Sequence, residues 1–270
     1  MKSIAIAALL VTAQPVPTQT APLAPTGKWT VDYADAACIL SRDYGTADAR
    51  TTLGVNPSPL GSGLELITVT PGATTTRYRP TKGTLTLQPS GRTIDSEISR
   101  YQIKARNQTV TTLRAEGDAA TEILRSSSLS ITSANGSQTA FAMPGMKSAA
   151  GALRACQDDL LRQWKIDPAE RDLPPLSTGA TSPAQWITND DYPTNSLDAS
   201  EQGATTIAWT IKTDGKVADC RVVNSSGSKA LDEASCSAIT RRGRYAPPLG
   251  TDGKPQVRHG IRKIVWLLPS

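Results

Sequence analysis

Histidine is almost missing from this chain: 270 residues hold one, His259. That excludes multi-histidine zinc sites and leaves little room for histidine-based acid–base chemistry. The four cysteines include no Cys-x-x-Cys pair, so a thiolate metal site is excluded as well. No apolar run approaches the ~20 residues that cross a bilayer as a helix. There is no Walker loop and no dinucleotide fingerprint. A dominant charge is lacking too. Lys and Arg number 29 against 24 Asp and Glu, a net charge of +5. That is too weak for a dedicated nucleic-acid binder and too balanced for a disordered polyelectrolyte. Leu, Ile, Val and Phe together fall near the ~20% boundary below which highly charged chains stay disordered. The low net charge and five tryptophans indicate that the chain folds, with Ala and Thr as filler. Its length suits one large domain or two small ones.

What is present begins with an address. Met1-Lys2-Ser3 is a short positive start, 4–11 is an apolar run, and Val11-Thr12-Ala13 reads as a cleavage site. The expectation is a secretory signal peptide over 1–13, cut after Ala13. Residues 14–26 hold four prolines and no charge, and read as a Pro-rich extended tether. Export disfavours nucleic acid as a partner and exposes Cys38, Cys156, Cys220 and Cys236 to oxidising conditions, so two disulfides are expected. Of three pairings, Cys38–Cys156 with Cys220–Cys236 keeps each bond within one of the units described next. Cys236 falls at the flank of its helix's apolar face, which speaks against its bond.

Residues 27–164 read as a β-rich module of unknown role, closed by one helix. Strand patterns cover 28–34, 38–44, 64–70, 83–88, 94–103 and 108–113, with Pro and Gly clusters between them. Strands at 129–132 and 138–142 flank Asn135-Gly136, a hairpin signal. The span 147–164 is an amphipathic helix pattern that carries Cys156 on its apolar face, and Asp167-Pro168 ends it. Residues 165–183, rich in proline, read as a linker. Residues 184–270 form a smaller unit. Tyr192-Pro193 opens a helical turn, strands at 205–212 and 217–223 flank Asp214-Gly215, a helix covers 229–241, and a long strand closes the chain at 257–268. The expected fold class is α+β, with the order helical turn–β–β–α–β in the second unit.

That second unit resembles the C-terminal domain of the TonB energy-transducer family. The resemblance rests on Tyr192-Pro193, the strand–Asp214-Gly215–strand hairpin, and Ser225-Ser226-Gly227 leading to Leu231-Asp232. It continues through Ala238, Tyr245-Ala246-Pro247 and Gly253 into the final strand. It implies a periplasmic, non-enzymatic domain that binds outer-membrane receptors or other envelope proteins in transport across the outer membrane. In such domains a short receptor segment adds as a strand to an open sheet edge. The edge implied here is the last strand: Arg258, His259, Gly260, Ile261, Arg262, Lys263, Ile264, Val265 and Trp266, with Tyr192 as a further partner-binding residue. The three charges Arg258, Arg262 and Lys263 read equally as ordinary solubilising charges of an edge strand. The chain departs from an energy transducer in three ways. Its apolar run is short and carries no ionisable group, the long Pro-rich spacer is missing, and the β-rich module stands in its place. These departures leave a second expectation, a structural or regulatory envelope protein with the fold and no transport role.

Other chemistry is weak. Ser226-Gly227-Ser228-Lys229 fits Ser-x-x-Lys, but the supporting motifs of penicillin-interacting enzymes are missing, and a helix N-cap explains it. His259 reads as a strand-surface residue. Asp190 and Asp191 suit the start of the following helical turn. Arg241, Arg242 and Arg244 form the densest basic cluster, a candidate site for an anionic envelope component or else a solvated helix end. Trp186, Trp209 and Trp266 read as core. No catalytic residue, metal or cofactor is expected.

Overall fold

A computed structural model describes residues 21–34, 36–61, 63–72, 80–178 and 182–268. The expected signal peptide and residues 14–20 of the tether lie outside them. Among the described residues the fold is α+β with two sheets.

The first sheet is built from β1 (Thr30–Ala34), β2 (Ala37–Tyr44), β3 (Thr51–Pro57), β4 (Leu64–Pro71), β5 (Thr81–Gln88), β6 (Thr93–Ile103), β7 (Gln108–Ala115), β8 (Ser128–Ser133) and β9 (Gln138–Ala142). Their order is β1-β2-β3-β4-β7-β6-β5-β8-β9, antiparallel throughout. Alternation decides which side chains face in: β4 and β5 bury every second residue, so Leu64, Leu66, Leu85 and Leu87 enter the core. The sheet curls until its ends meet. Leu23 bridges Phe141 of β9 and Pro25 bridges Tyr44 of β2, while the Tyr44 hydroxyl donates to the Ala142 carbonyl at 2.9 Å. Residues 21–26 are therefore a seam of the sheet and not a free tether. Their extended, proline-rich backbone suits an edge where few N–H groups are needed.

Among the described residues this unit carries the helices α1 (Asp118–Ile123) and α2 (Met146–Gln163). α2 packs Leu153, Cys156, Leu160 and Leu161 onto the core, and a disulfide joins Cys156 to Cys38 of β2. β3 and α1 have no counterpart among the elements expected from sequence.

Residues 165–178 do not behave as a loose linker. Arg171 pairs with Asp158 at 2.8 Å and donates to the Pro59 carbonyl at 2.9 Å. Arg154 holds Asp172 at 2.7 Å, and Thr178 bridges Tyr245. The segment is a strap fastened at both ends, because its charged side chains find partners that its composition does not reveal.

The second sheet has three antiparallel strands in the order β11 (Val217–Asn224), β10 (Gly203–Ile211), β12 (Arg258–Trp266). Before it stand short turns and α3 (Thr194–Asp198), and α4 (Lys229–Arg242) lies across one face. The Ser228 hydroxyl caps α4 by accepting from the Leu231 N–H. The helix is rich in Ala and Ser, which lets it approach the sheet closely. Its Ser235 accepts from Trp266 Nε1 at 3.1 Å and donates to the Leu231 carbonyl at 2.9 Å, so a buried hydroxyl is satisfied twice. A disulfide joins Cys220 of β11 to Cys236 of α4.

The opposite face of this sheet is not open. Ala208 is fully buried in the core of the first unit, and Val223 and Ile261 pack against that core. Arg221 donates to the Trp164 carbonyl across the same junction. β10 is thus buried on both faces: Ile207, Trp209 and Ile211 face α4, and Ala208 faces the module.

Candidate partner-binding edge

The three-stranded sheet has two outer strands, and they differ. β11 meets β10 through two register shifts, and Asp219 within it has φ 49°. Such irregularity twists an edge away from straight pairing. β12 keeps one unbroken register with β10 from Gly203↔Trp266 to Ile211↔Arg258. Its free side is therefore the regular edge.

The direction of its backbone groups follows from one contact. The His259 N–H donates to Glu170 Oε2 at 2.8 Å, away from β10. Antiparallel pleating then turns the N–H groups of Ile261, Lys263 and Val265 outward as well. Lys263 is exposed, Val265 is 51% exposed, and Ile261 is half-buried.

The remaining residues of β12 serve the fold. Ile264 and Trp266 belong to the core against α4. Gly260 lies opposite Trp209, and a Cβ there would meet the indole at 2.3 Å. Gly260→Ala should therefore destabilise the protein by about 2–3 kcal/mol, as overpacking of a rigid ring does, read as a lower urea midpoint with an unchanged m-value. Arg258 is buried, not a solubilising charge. It donates to the carbonyls of Glu170 (3.0 Å) and Pro174 (3.2 Å). Burial holds its guanidinium below the usual arginine range, and the Glu170 carboxylate opposes that shift. Arg262 is half-buried and donates to the Pro183 carbonyl at 2.7 Å. Burial, and secondly the charge of Arg114, lower its pKa. Of the three charges on this strand, Lys263 alone stands in solvent. His259 is no free surface residue either: its Nδ1 lies 2.6 Å from Glu170 Oε1.

Tyr192 packs edge-to-face on Trp266, with ring centroids 5.3 Å apart, and its hydroxyl donates to the Glu201 carbonyl. It supports the end of the sheet. The basic cluster is partly spent internally. Arg241 pairs with Asp191 Oδ1 at 2.8 Å, and Arg242 pairs with the same carboxylate and donates to the Trp186 carbonyl at 2.9 Å. Burial would raise the Asp191 pKa, but the Thr188 N–H and the two arginines hold it below the usual range. Arg244 donates to the Gly243 carbonyl. Of the three, Arg241 and Arg242 are tied to one carboxylate, which reduces their appeal to an outside anion.

The Ser-x-x-Lys string is drawn apart. The Ser226 hydroxyl donates to Asp232 at 2.9 Å, while Lys229 is exposed and lies 3.6 Å from Glu233. Among the described residues no cluster of His, Cys, Asp or Glu could hold a metal, and no helix is long and apolar enough to cross a membrane.

Glu170 is the residue that sequence reading misses. It lies 89 positions from His259 in a Pro-rich stretch, and no periodicity or motif links the two.

Among the described residues, a three-stranded antiparallel sheet with one helix across its face and β12 as its regular outer strand form a small α+β domain. Residues 188–268 match the family model described as Gram-negative bacterial TonB protein C-terminal, so this stretch carries a TonB C-terminal domain. Domains of that family interact with outer-membrane proteins, and the family belongs to the envelope of Gram-negative bacteria. The match covers the last third of the chain and leaves the module outside it. No curated protein and no solved structure matches the chain.

Proposed function

We propose that this is a periplasmic TonB-like protein that captures an outer-membrane or other envelope protein by strand addition to β12, in transport across the outer membrane. The observation that carries the reading is the unbroken register of β12 on β10 with a free, outward-facing side at Ile261, Lys263 and Val265. Edge N–H and C=O groups supply affinity there, and neighbouring side chains supply choice. The family match over 188–268 supports the same reading. The burial of Ala208, Val223 and Ile261 against the module favours a second reading, a structural or regulatory envelope protein in which the domain is held as part of a larger rigid body.

A photo-crosslinking residue at Val265 in cells tests both. Adducts with outer-membrane proteins are expected, together with lost uptake of a large nutrient when β12 carries Lys263→Pro. Adducts with peptidoglycan-linked or inner-membrane proteins only, with uptake unchanged, would favour the second reading.

A further inference from the structure

The strap already places a carboxylate on the proposed docking edge. Glu170 Oε2 accepts the outward His259 N–H, as the carbonyl of an added strand would. Its Oε1 lies 2.6 Å from His259 Nδ1, and its Oε2 lies 3.6 Å from Arg258 Nε. Backbone donor, imidazole and guanidinium thus converge on one carboxylate.

Around that carboxylate runs a cleft of about 810 Å³ between the N-terminal half of β12 and the module. Its lining includes Leu60, Ala120, Leu124 and Gly151 of the module, and Trp209 and Tyr245 of the smaller unit where the cleft wraps past the strand. Burial pushes the Tyr245 phenol up to about 12, so it stays neutral. The cations Arg125, Lys147 and Arg262 also line the cleft, and none is in an ion pair among the described residues. Its two carboxylates, Glu170 and Asp172, are both paired. The cleft therefore has apolar lining residues, a surplus of positive charge, and a strand edge along one side.

We propose that this cleft seats an extended, acidic segment of a partner protein, one carboxylate of which takes the place of Glu170 at His259 and Arg258. This rests on the strand-addition reading above and extends it in two ways. The module becomes the second wall of the partner site, and Glu170 becomes an internal competitor that an incoming segment displaces. A strand edge fits a polypeptide better than a lipid, because only a peptide backbone satisfies the outward N–H and C=O groups.

Panning the full chain against a library of random octapeptides tests this. Enriched peptides should carry Asp or Glu at a fixed position beside apolar residues. They should lose binding to Lys263→Pro, or to Val265→Pro if the former does not fold, since proline there removes an outward donor and no ladder bond. Arg125→Gln with Lys147→Gln should weaken them roughly three- to ten-fold, the scale of two rim charges, and Glu170→Gln should tighten them. Peptides without acidic enrichment that still fail on Lys263→Pro would overturn the acidic partner and leave strand addition standing. Peptides indifferent to both proline variants, or no enrichment, would overturn both. Displacement of the peptides by phosphatidylglycerol vesicles would reassign the cleft to a lipid.

Discussion

Replacing Cys38 and Cys156 together with alanine is expected to cost about 4–5 kcal/mol of unfolding free energy, as loss of a crosslink closing a loop of ~100 residues does. The bond joins residues 118 apart, β2 at one end and α2 at the other. Both cysteines are buried in the core of the first unit, 2% and 1% exposed. Without the bond, α2 keeps its apolar face but loses the constraint that limits the unfolded chain. The Cys220–Cys236 bond closes only 16 residues, for which the same relation gives about 3 kcal/mol. The two variants therefore rank in a fixed order. Urea unfolding followed by tryptophan emission should show the larger midpoint shift for the Cys38/Cys156 pair. An equal or reversed order would mean that native packing, and not chain constraint, sets the worth of these bonds.

Both bonds join elements whose patterns are legible in the amino-acid sequence, and the elements that are not legible differ from them physically. Alternation in 64–70 and 83–88, the Asn135-Gly136 hairpin, and the helix pattern from 147 are local signals, and they correspond to β4, β5, β8–β9 and α2. β3 escapes because it runs Thr-Thr-Leu-Gly-Val-Asn-Pro into a proline cluster, and its centre buries Leu53, Gly54 and Val55 in succession, with no alternation to read. α1 is six residues long, shorter than a periodic signal needs. The prolines of the strap suggest a loose linker. What fixes it is long-range: Arg171 to Pro59, Arg258 to Pro174, Glu170 to His259. The same limit applies to the edge. The sequence points to the whole last strand, but only pairing on β10 decides that Ile264 and Trp266 face the core while Lys263 and Val265 stay accessible.

The C-terminal domain has a second dependence, on one carboxylate. Asp232 sits in the first turn of α4, 9% exposed. It accepts from Thr205 Oγ1 at 2.7 Å, Ser225 Oγ at 2.5 Å, and the Ser226 N–H and Oγ at 2.9 Å each. It thereby ties β10, the Ser225–Gly227 turn and α4 together. Asp232→Ala strands these donors, of which Thr205 is fully buried. Hydrogen bonds to a charged group are worth about 1.5–3 kcal/mol each and are not additive, so a loss of about 3–5 kcal/mol is expected. Asp232→Asn keeps the size and one oxygen and should lose less. The pH dependence follows from the same contacts. Burial alone would raise this carboxyl, but the Ser225, Ser226 and Thr205 donors outweigh it and hold its pKa below the ordinary value. A depressed folded pKa gives stability that is complete above the unfolded value of about 3.9 and is lost as pH falls through the folded value. Urea unfolding at neutral pH and at successively lower pH should therefore show the gap between wild type and Asp232→Asn narrowing only below about pH 4. A gap that stays constant into strong acid would mean that the charge of Asp232 is not what the four donors stabilise, and that its size and shape alone hold the turn to the helix.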